Sequence, residues 1–396
     1  MAEASAFPQR ASTIWRAAIV AAALILSGCQ SVVPRGRPAP VKRPPVTRPV
    51  PVQQPVVEPG IPTDTERHRI ALLVPLSGPN AAVGQSLANA TQLALLDTRN
   101  ERLRVTNYDT NTGAAAAAQR AIADGNKLIL GPLLAADVRA VMPVARSAGV
   151  PVISFSNDAG VAGNGAYLMG NLPTQSIGRV VDYAQSQGVT TFAGLVPNGL
   201  YGERASTAFL RAVEAGGGKV VSLQVYGSGT LSSAVSKLGQ AGPYQALLVA
   251  DNSAAASGVV AVVRRAGGGG AHILGTDQWN LDAQLAAKAP LNGAWFASVS
   301  DNLYRQYAAK YRARFGTSPF RLSSMGYDAV LLTIRIARDW PIGRPFPEER
   351  LRDRDGFAGL DGAFRFGRDG TAERALEVQE IRGGTTVVVS PAPSGF

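Results

Sequence analysis

"KLILGPLLAADVRAVMPVARSAGVPVISFS", residues 127–156, holds two short apolar runs with an amphipathic stretch between them. KLILGP (127–132) and VPVISFS (150–156) carry no charge after Lys127 and read as strands buried on both faces. Within 134–147, Leu134, Val138, Val141 and Ala145 recur at i, i+4, i+7 and i+11, which lines up one apolar face of a helix. Pro143 lies inside that helix and is expected to kink it. Strand, helix, strand at this spacing is a βαβ unit, and its two strands run parallel.

The alternation continues on both sides. RIALLVPL (69–76) and RLRVTNYD (102–109) read as strands, and Val83, Leu87, Ala90 and Ala94 give 81–96 an apolar helical face. Further strands at 190–196, 219–226, 244–250 and 271–275 alternate with helices near 202–216, 230–239 and 255–265. Repeated βα units make mainly parallel sheets with helices on both faces. Ligands of such sheets collect outside the carboxyl ends of the strands, beside helix N-termini. The candidate site segments are therefore Pro75–Gly78, Gly131–Ala136, Ser154–Asp158 and Gly275–Gln278. The folded part begins near Arg67 and runs about 330 residues, too long for one compact core, so two lobes are expected.

The start of the chain has a different character. Arg10 and Arg16 precede an uncharged apolar run, Ala17–Leu26, and Leu26-Ser27-Gly28 puts small residues directly before Cys29. This is the layout of a secretory signal peptide over residues 1–28. The run is about half the ~20 residues that a membrane-spanning helix needs, and Pro34 and Arg35 stop it. Cys29 is the only cysteine, so the remainder can be exported without a disulfide. Residues 34–62 contain ten prolines, a density that favours extended polyproline II. As part of a tether over 29–66, that stretch could reach on the order of 90 Å. Arg35, Arg37, Lys42, Arg43 and Arg48 make its first half basic, suited to anionic lipid or an anionic cell-wall polymer.

Loss of residues 1–28 removes two arginines and one glutamate, taking the net charge from +11 to +10. Export and the lack of any aromatic-basic cluster argue against nucleic acid as the partner. The catalytic inventory is short. There are two histidines, His68 and His272, and no H-E-x-x-H, G-x-S-x-G, P-loop or G-x-G-x-x-G. Gly267–Gly270 reads as a turn, and Asp353 and Asp355 lie among arginines that can pair with them. The expectation is a non-enzymatic protein with no cofactor and no metal.

Taken in order, IALLVPLSGPNAAVGQSLANATQLAL (70–95), LILGPLLAADVRAVMPVARSAGVPVISFSND (128–158), LYGERASTAFLRAVEAGGG (200–218) and MGYDAVLL (325–332) resemble a type I periplasmic binding protein of the leucine/isoleucine/valine-binding kind. The resemblance implies an α/β, two-lobed fold, each lobe a mainly parallel sheet flanked by helices, with a cleft between. It implies lobe one at about 67–172 and 298–370, and lobe two at about 173–297 and 371–396. The L-S-G-C tetrad at 26–29 resembles a lipoprotein box, which implies a lipid on Cys29. Gln30, in place of an aspartate, then favours the outer membrane, facing the periplasm.

With the proline tether, the chain is most similar to lipoprotein activators of penicillin-binding proteins. That resemblance implies a peptidoglycan synthase as partner, bound and activated. The alternative is a solute-binding lipoprotein of an ABC importer for amino acids or related small molecules. Family amino-acid binders hold the ligand carboxylate with a serine after the G-x-L turn and a stretch after the next strand. They hold its ammonium with a late acidic residue and cover it with a tyrosine. Carried onto this chain, the first position falls on Ala135 or Ala136, which cannot donate, and the second on Ser156, Asn157 and Asp158. Tyr201 matches the tyrosine, Asp277 the acid, and Ser77 lies in the first strand-end segment. The ammonium half is kept and the carboxylate half degraded, which disfavours a free amino acid.

Overall fold

The computed structural model describes residues 66–393. The expected signal peptide, Cys29 and nearly all of the tether lie outside the described residues.

Residues 127–156 fold as β3 (Leu128–Leu130), α3 (Ala135–Ser147) and β4 (Val152–Ser154). Pro143 sits inside α3 without ending it. With β1 (His68–Val74), β2 (Leu103–Asp109) and β5 (Ala166–Leu168), these strands form a five-stranded sheet in the order β2-β1-β3-β4-β5, parallel throughout. Neighbouring residues on β1 serve opposite cores. Ile70, Leu72 and Val74 pack with α1 (Ala81–Thr98) and helices from late in the chain. Ala71 and Leu73 pack with α2 (Ala114–Ala123) and α3. The pleat sends alternate side chains to opposite faces, so a strand covered on both sides must be apolar throughout.

The second sheet is built the same way and then extended. Its order is β15-β14-β10-β9-β8-β6-β7. The strands β6 (Thr191–Pro197), β7 (Lys219–Tyr226), β8 (Ala246–Val249), β9 (His272–Gly275) and β10 (Trp295–Ser298) pair in parallel. β14 (Glu377–Arg382) and β15 (Thr385–Ser390) add an antiparallel edge. One face is covered by α4 (Pro173–Ser186) and α5 (Leu200–Ala215), the other by α6 (Leu231–Gln240) and α7 (Ser253–Arg265).

The chain passes between the sheets three times, near 169–172, 299–301 and 375–376. Between the last two passages, α8 (Asn302–Phe315), α9 (Ser324–Ala337) and a small sheet of β11 (Phe357–Gly359), β12 (Gly362–Phe366) and β13 (Ala372–Arg374) complete the first lobe. β13 pairs with β12, and Ala372 is buried in the first lobe's core. Residues 371–374 thus belong with lobe one, a few residues beyond the boundary expected from sequence. The physical reason is the hairpin-like pairing of β12 with β13, which carries the chain to Arg374 before it leaves.

The two histidines are packing residues. His68 stacks on Trp340 with ring centroids 3.9 Å apart, and His272 on Trp295 at 4.3 Å. Among the described residues no cluster of His, Cys, Asp or Glu could hold a metal ion, and no helix is long and apolar enough to cross a membrane.

Candidate functional site

Both sheets change strand order at an internal strand, β1 to β3 in one and β6 to β8 in the other. Crevices open at such switch points, at the carboxyl ends of the strands. A hollow of about 400 Å³ lies there, lined by residues of both lobes. The first lobe gives Ala135, Asn157 and Asp158; the second gives Leu200, Tyr201, Arg204, Asp251 and Gln278; Pro173 and Pro197 close the walls.

Asn157, Asp158 and Tyr201, expected in the cleft, line this hollow; Ser77, Ser156 and Asp277 do not. Ser77 donates from Oγ to Asp109 Oδ2 at 2.6 Å and accepts from Asn111 Nδ2 at 3.1 Å, which commits it to the β1–α1 turn. Ser156 is buried, and its Oγ accepts from the backbone N–H of Asp158 at 3.2 Å. A serine two residues before a turning backbone is often used in this local way. Ala135 lines the hollow and has no side-chain donor to offer there.

Asp158 is held by more than its own loop. Oδ1 accepts from the Gly160 N–H at 2.9 Å, and Arg139 Nη2 lies 2.7 Å from Oδ2. From the other lobe, Arg204 Nη2 reaches to 3.6 Å from Oδ1. A Cβ on Gly160 would sit 2.9 Å from the same nitrogen, so the Arg204 side chain rests on backbone of the first lobe.

On the second lobe, Tyr201 Oη and Thr276 Oγ1 are 3.2 Å apart. Burial, followed by the charge of Asp277, pushes the Tyr201 phenol far above its ordinary range, so it stays protonated. Asp277 begins a 3₁₀ turn after β9 and is 8% exposed. Burial raises its carboxyl to about 6, against hydrogen bonds from Ser176 and Asn171 and the charge of Arg374. Asp251, at the end of β8, accepts from Tyr226 Oη at 2.6 Å and from the Asn252 N–H at 2.7 Å.

Arg204 and Asp251 are the charged lining residues that sequence reasoning missed, beside the apolar Leu200, Pro173 and Pro197. Both had a signal. Arg204 follows Tyr201 by three residues on a helix, which places it on the same face. Asp251 comes two residues after the end of β8, where the rule used for the other segments would have found it.

A family model described as a periplasmic binding protein matches residues 68–385. The leucine binding protein LivK of Thermotoga maritima superposes with a TM-score of 0.64 at 21% identity, over 83% of this chain and 99% of its own. An ABC transporter substrate-binding protein of Desulfitobacterium hafniense gives 0.67 at 17% identity, over 82% and 100%. These likenesses show the fold. A curated, uncharacterized protein of Rickettsia prowazekii is 28% identical over 139 residues, 35% of this chain and 37% of its own length.

Proposed function

The chain belongs to the periplasmic binding protein family, and on that premise we propose that it is a non-enzymatic binding protein of the cell envelope that takes a small solute between its lobes. The observation that carries this is the hollow at the paired switch points, with walls from both lobes. Pockets of this size, apolar with a few convergent polar groups, suit small molecules. Tyr201, Asp251 and Gln278 supply polar groups; Leu200, Pro173 and Pro197 supply apolar wall. The solved neighbours with substrate-binding names add support for an importer component over a synthase activator.

Cys29, following Leu26-Ser27-Gly28, is proposed as the lipid anchor, with the proline-rich stretch as its tether and the outer membrane as its destination. Multiple acyl chains at about 0.8 kcal/mol per CH₂ make such an anchor stable.

A thermal-shift screen of the protein against amines, amino acids, organic acids and muropeptides tests the solute reading. A ligand at 100 times its Kd adds about 2.7 kcal/mol, and Asp251→Ala or Tyr201→Phe should diminish the shift. One observation favours a second reading. Ala135 lacks a donor and Asp158 fills its own surroundings, so the cleft is altered at the end where a carboxylate would be held. A family member released from solute binding could serve a protein partner, such as a penicillin-binding protein. Silence across the screen, with a raised polymerisation rate of a purified synthase, would favour that reading over the first.

A further inference from the structure

We infer that Asp158 sets the ligand class of the cleft: it is a carboxylate of the protein's own that occupies the cation lining the hollow and leaves the hollow to a small organic cation without a carboxylate. This deepens the solute-binding proposal and rests on it.

The charges in the hollow carry the inference. Among the described residues that line it, Arg204 is the only cation, and Asp158 and Asp251 are the acids. Arg204 is already directed at Asp158, whose side chain is 8% exposed and is held on its other oxygen by Arg139. A ligand carboxylate approaching Arg204 would lie beside the Asp158 carboxylate, and like charges at that range oppose each other. Displacing Asp158 would also strip the Gly160 N–H and Arg139 of their acceptor.

The acids on the second lobe stand differently. Asp251 is satisfied by neutral donors, the Tyr226 hydroxyl and the Asn252 amide. Asp277 lies between Thr276, which Tyr201 contacts, and Gln278, which lines the hollow. Neither Asp251 nor Asp277 makes an ion pair among the described residues. An ammonium entering beside Tyr201 meets the Asp251 carboxylate, which lines the hollow and makes no ion pair among the described residues, and charge-assisted hydrogen bonds are the strong ones. Leu200, Pro173, Pro197 and the Tyr201 ring give the rest of such a ligand an apolar surface.

Isothermal calorimetry on the full-length protein in non-ionic detergent tests this with three probes: 2-phenylethylamine, 3-phenylpropionate and L-leucine. The amine should bind the wild type at least tenfold more tightly than the matched carboxylate. Asp158→Asn keeps the side-chain shape and an oxygen for the Gly160 N–H, but returns charge to Arg204. It should bind 3-phenylpropionate at least tenfold more tightly than the wild type does and lose part of its amine affinity. Should that variant fail to fold, Arg204→Gln supplies the second arm, with amine binding retained or strengthened. Wild-type preference for 3-phenylpropionate or leucine overturns the inference and leaves solute binding standing. An unchanged order in Asp158→Asn likewise overturns it. No binding of any probe overturns it, while the solute-binding reading is decided separately by the broader thermal-shift screen.

Discussion

At the scale of single residues, Asp277 links stability to pH. Its folded carboxyl is raised to about 6 from an ordinary 3.8, chiefly by burial. The folded state therefore holds a proton that the unfolded chain has released between those values. The group's contribution to stability falls as pH rises through that window, and the penalty is complete above it. A rise of that size corresponds to on the order of 3 kcal/mol. Asp277→Asn should be more stable than the wild type at pH 7.5 by up to about that amount, with little of the gain left at pH 4. Urea unfolding at the two pH values reads this directly, and equal differences at both would rule out burial as the cause. Asn157 and Asp158 were legible in the sequence because they follow a strand end, whereas Tyr201 was named only through the family resemblance. The commitment of Ser77 to Asp109 was not legible, because Asp109 comes from β2, 32 residues away.

At the scale of elements, the two lobes repeat one device. α1 follows β1 through Pro75, and α5 follows β6 through Pro197. In both, a glycine in the first turns of the helix lies against the proline carbonyl. A Cβ on Gly84 would be 1.7 Å from the Pro75 oxygen, and one on Gly202 1.7 Å from the Pro197 oxygen. That approach is closer than any side chain allows, so only glycine lets each helix start so near its strand end. Gly84→Ala and Gly202→Ala should each cost about 1–3 kcal/mol, the usual penalty of forced overpacking. Gly202→Ala should also weaken ligand binding, because α5 carries Tyr201 and Arg204 into the hollow; Gly84→Ala should not. Denaturant melts and calorimetry of the two variants separate these effects. The strands and helices of the repeated units were legible from apolar runs and helical spacing. α2, α4, β5, β10 and the helices and strands after β10 were not. An alanine run such as 114–118 has little contrast between faces, and short strands of three to five residues carry too little alternation.

At the scale of the whole molecule, three passages tie the lobes together, and buried polar groups gather beside them. Arg374, at the third passage, donates from Nη2 to the Met169 carbonyl at the first, 2.8 Å away. Arg321 pairs with Asp361 at 2.6 Å and reaches toward Asp301 at the second. Removing one partner of such a buried pair leaves an uncompensated charge. The proposed anchor at Cys29 belongs to this scale as well. Cys29→Ala should leave an uncleaved or soluble protein in fractionated cells, while the wild type sediments with the outer membrane. Continued outer-membrane fractionation of the variant would remove Cys29 from that role.

The sequence by itself determined the α/β class, because strands buried on both faces and helices with one apolar face follow from local spacing alone, and its length called for two lobes. It also determined the strand-end segments where a site could lie, since those ends are set by the βα order. Only the tertiary structure decided which of those residues meet. Arg204 touches Asp158 from the opposite lobe, and Asp277 is buried against Ser176 and Asn171 at the first passage. Contacts between residues so far apart in the chain depend on how two sheets are joined, and local pattern does not encode that joining.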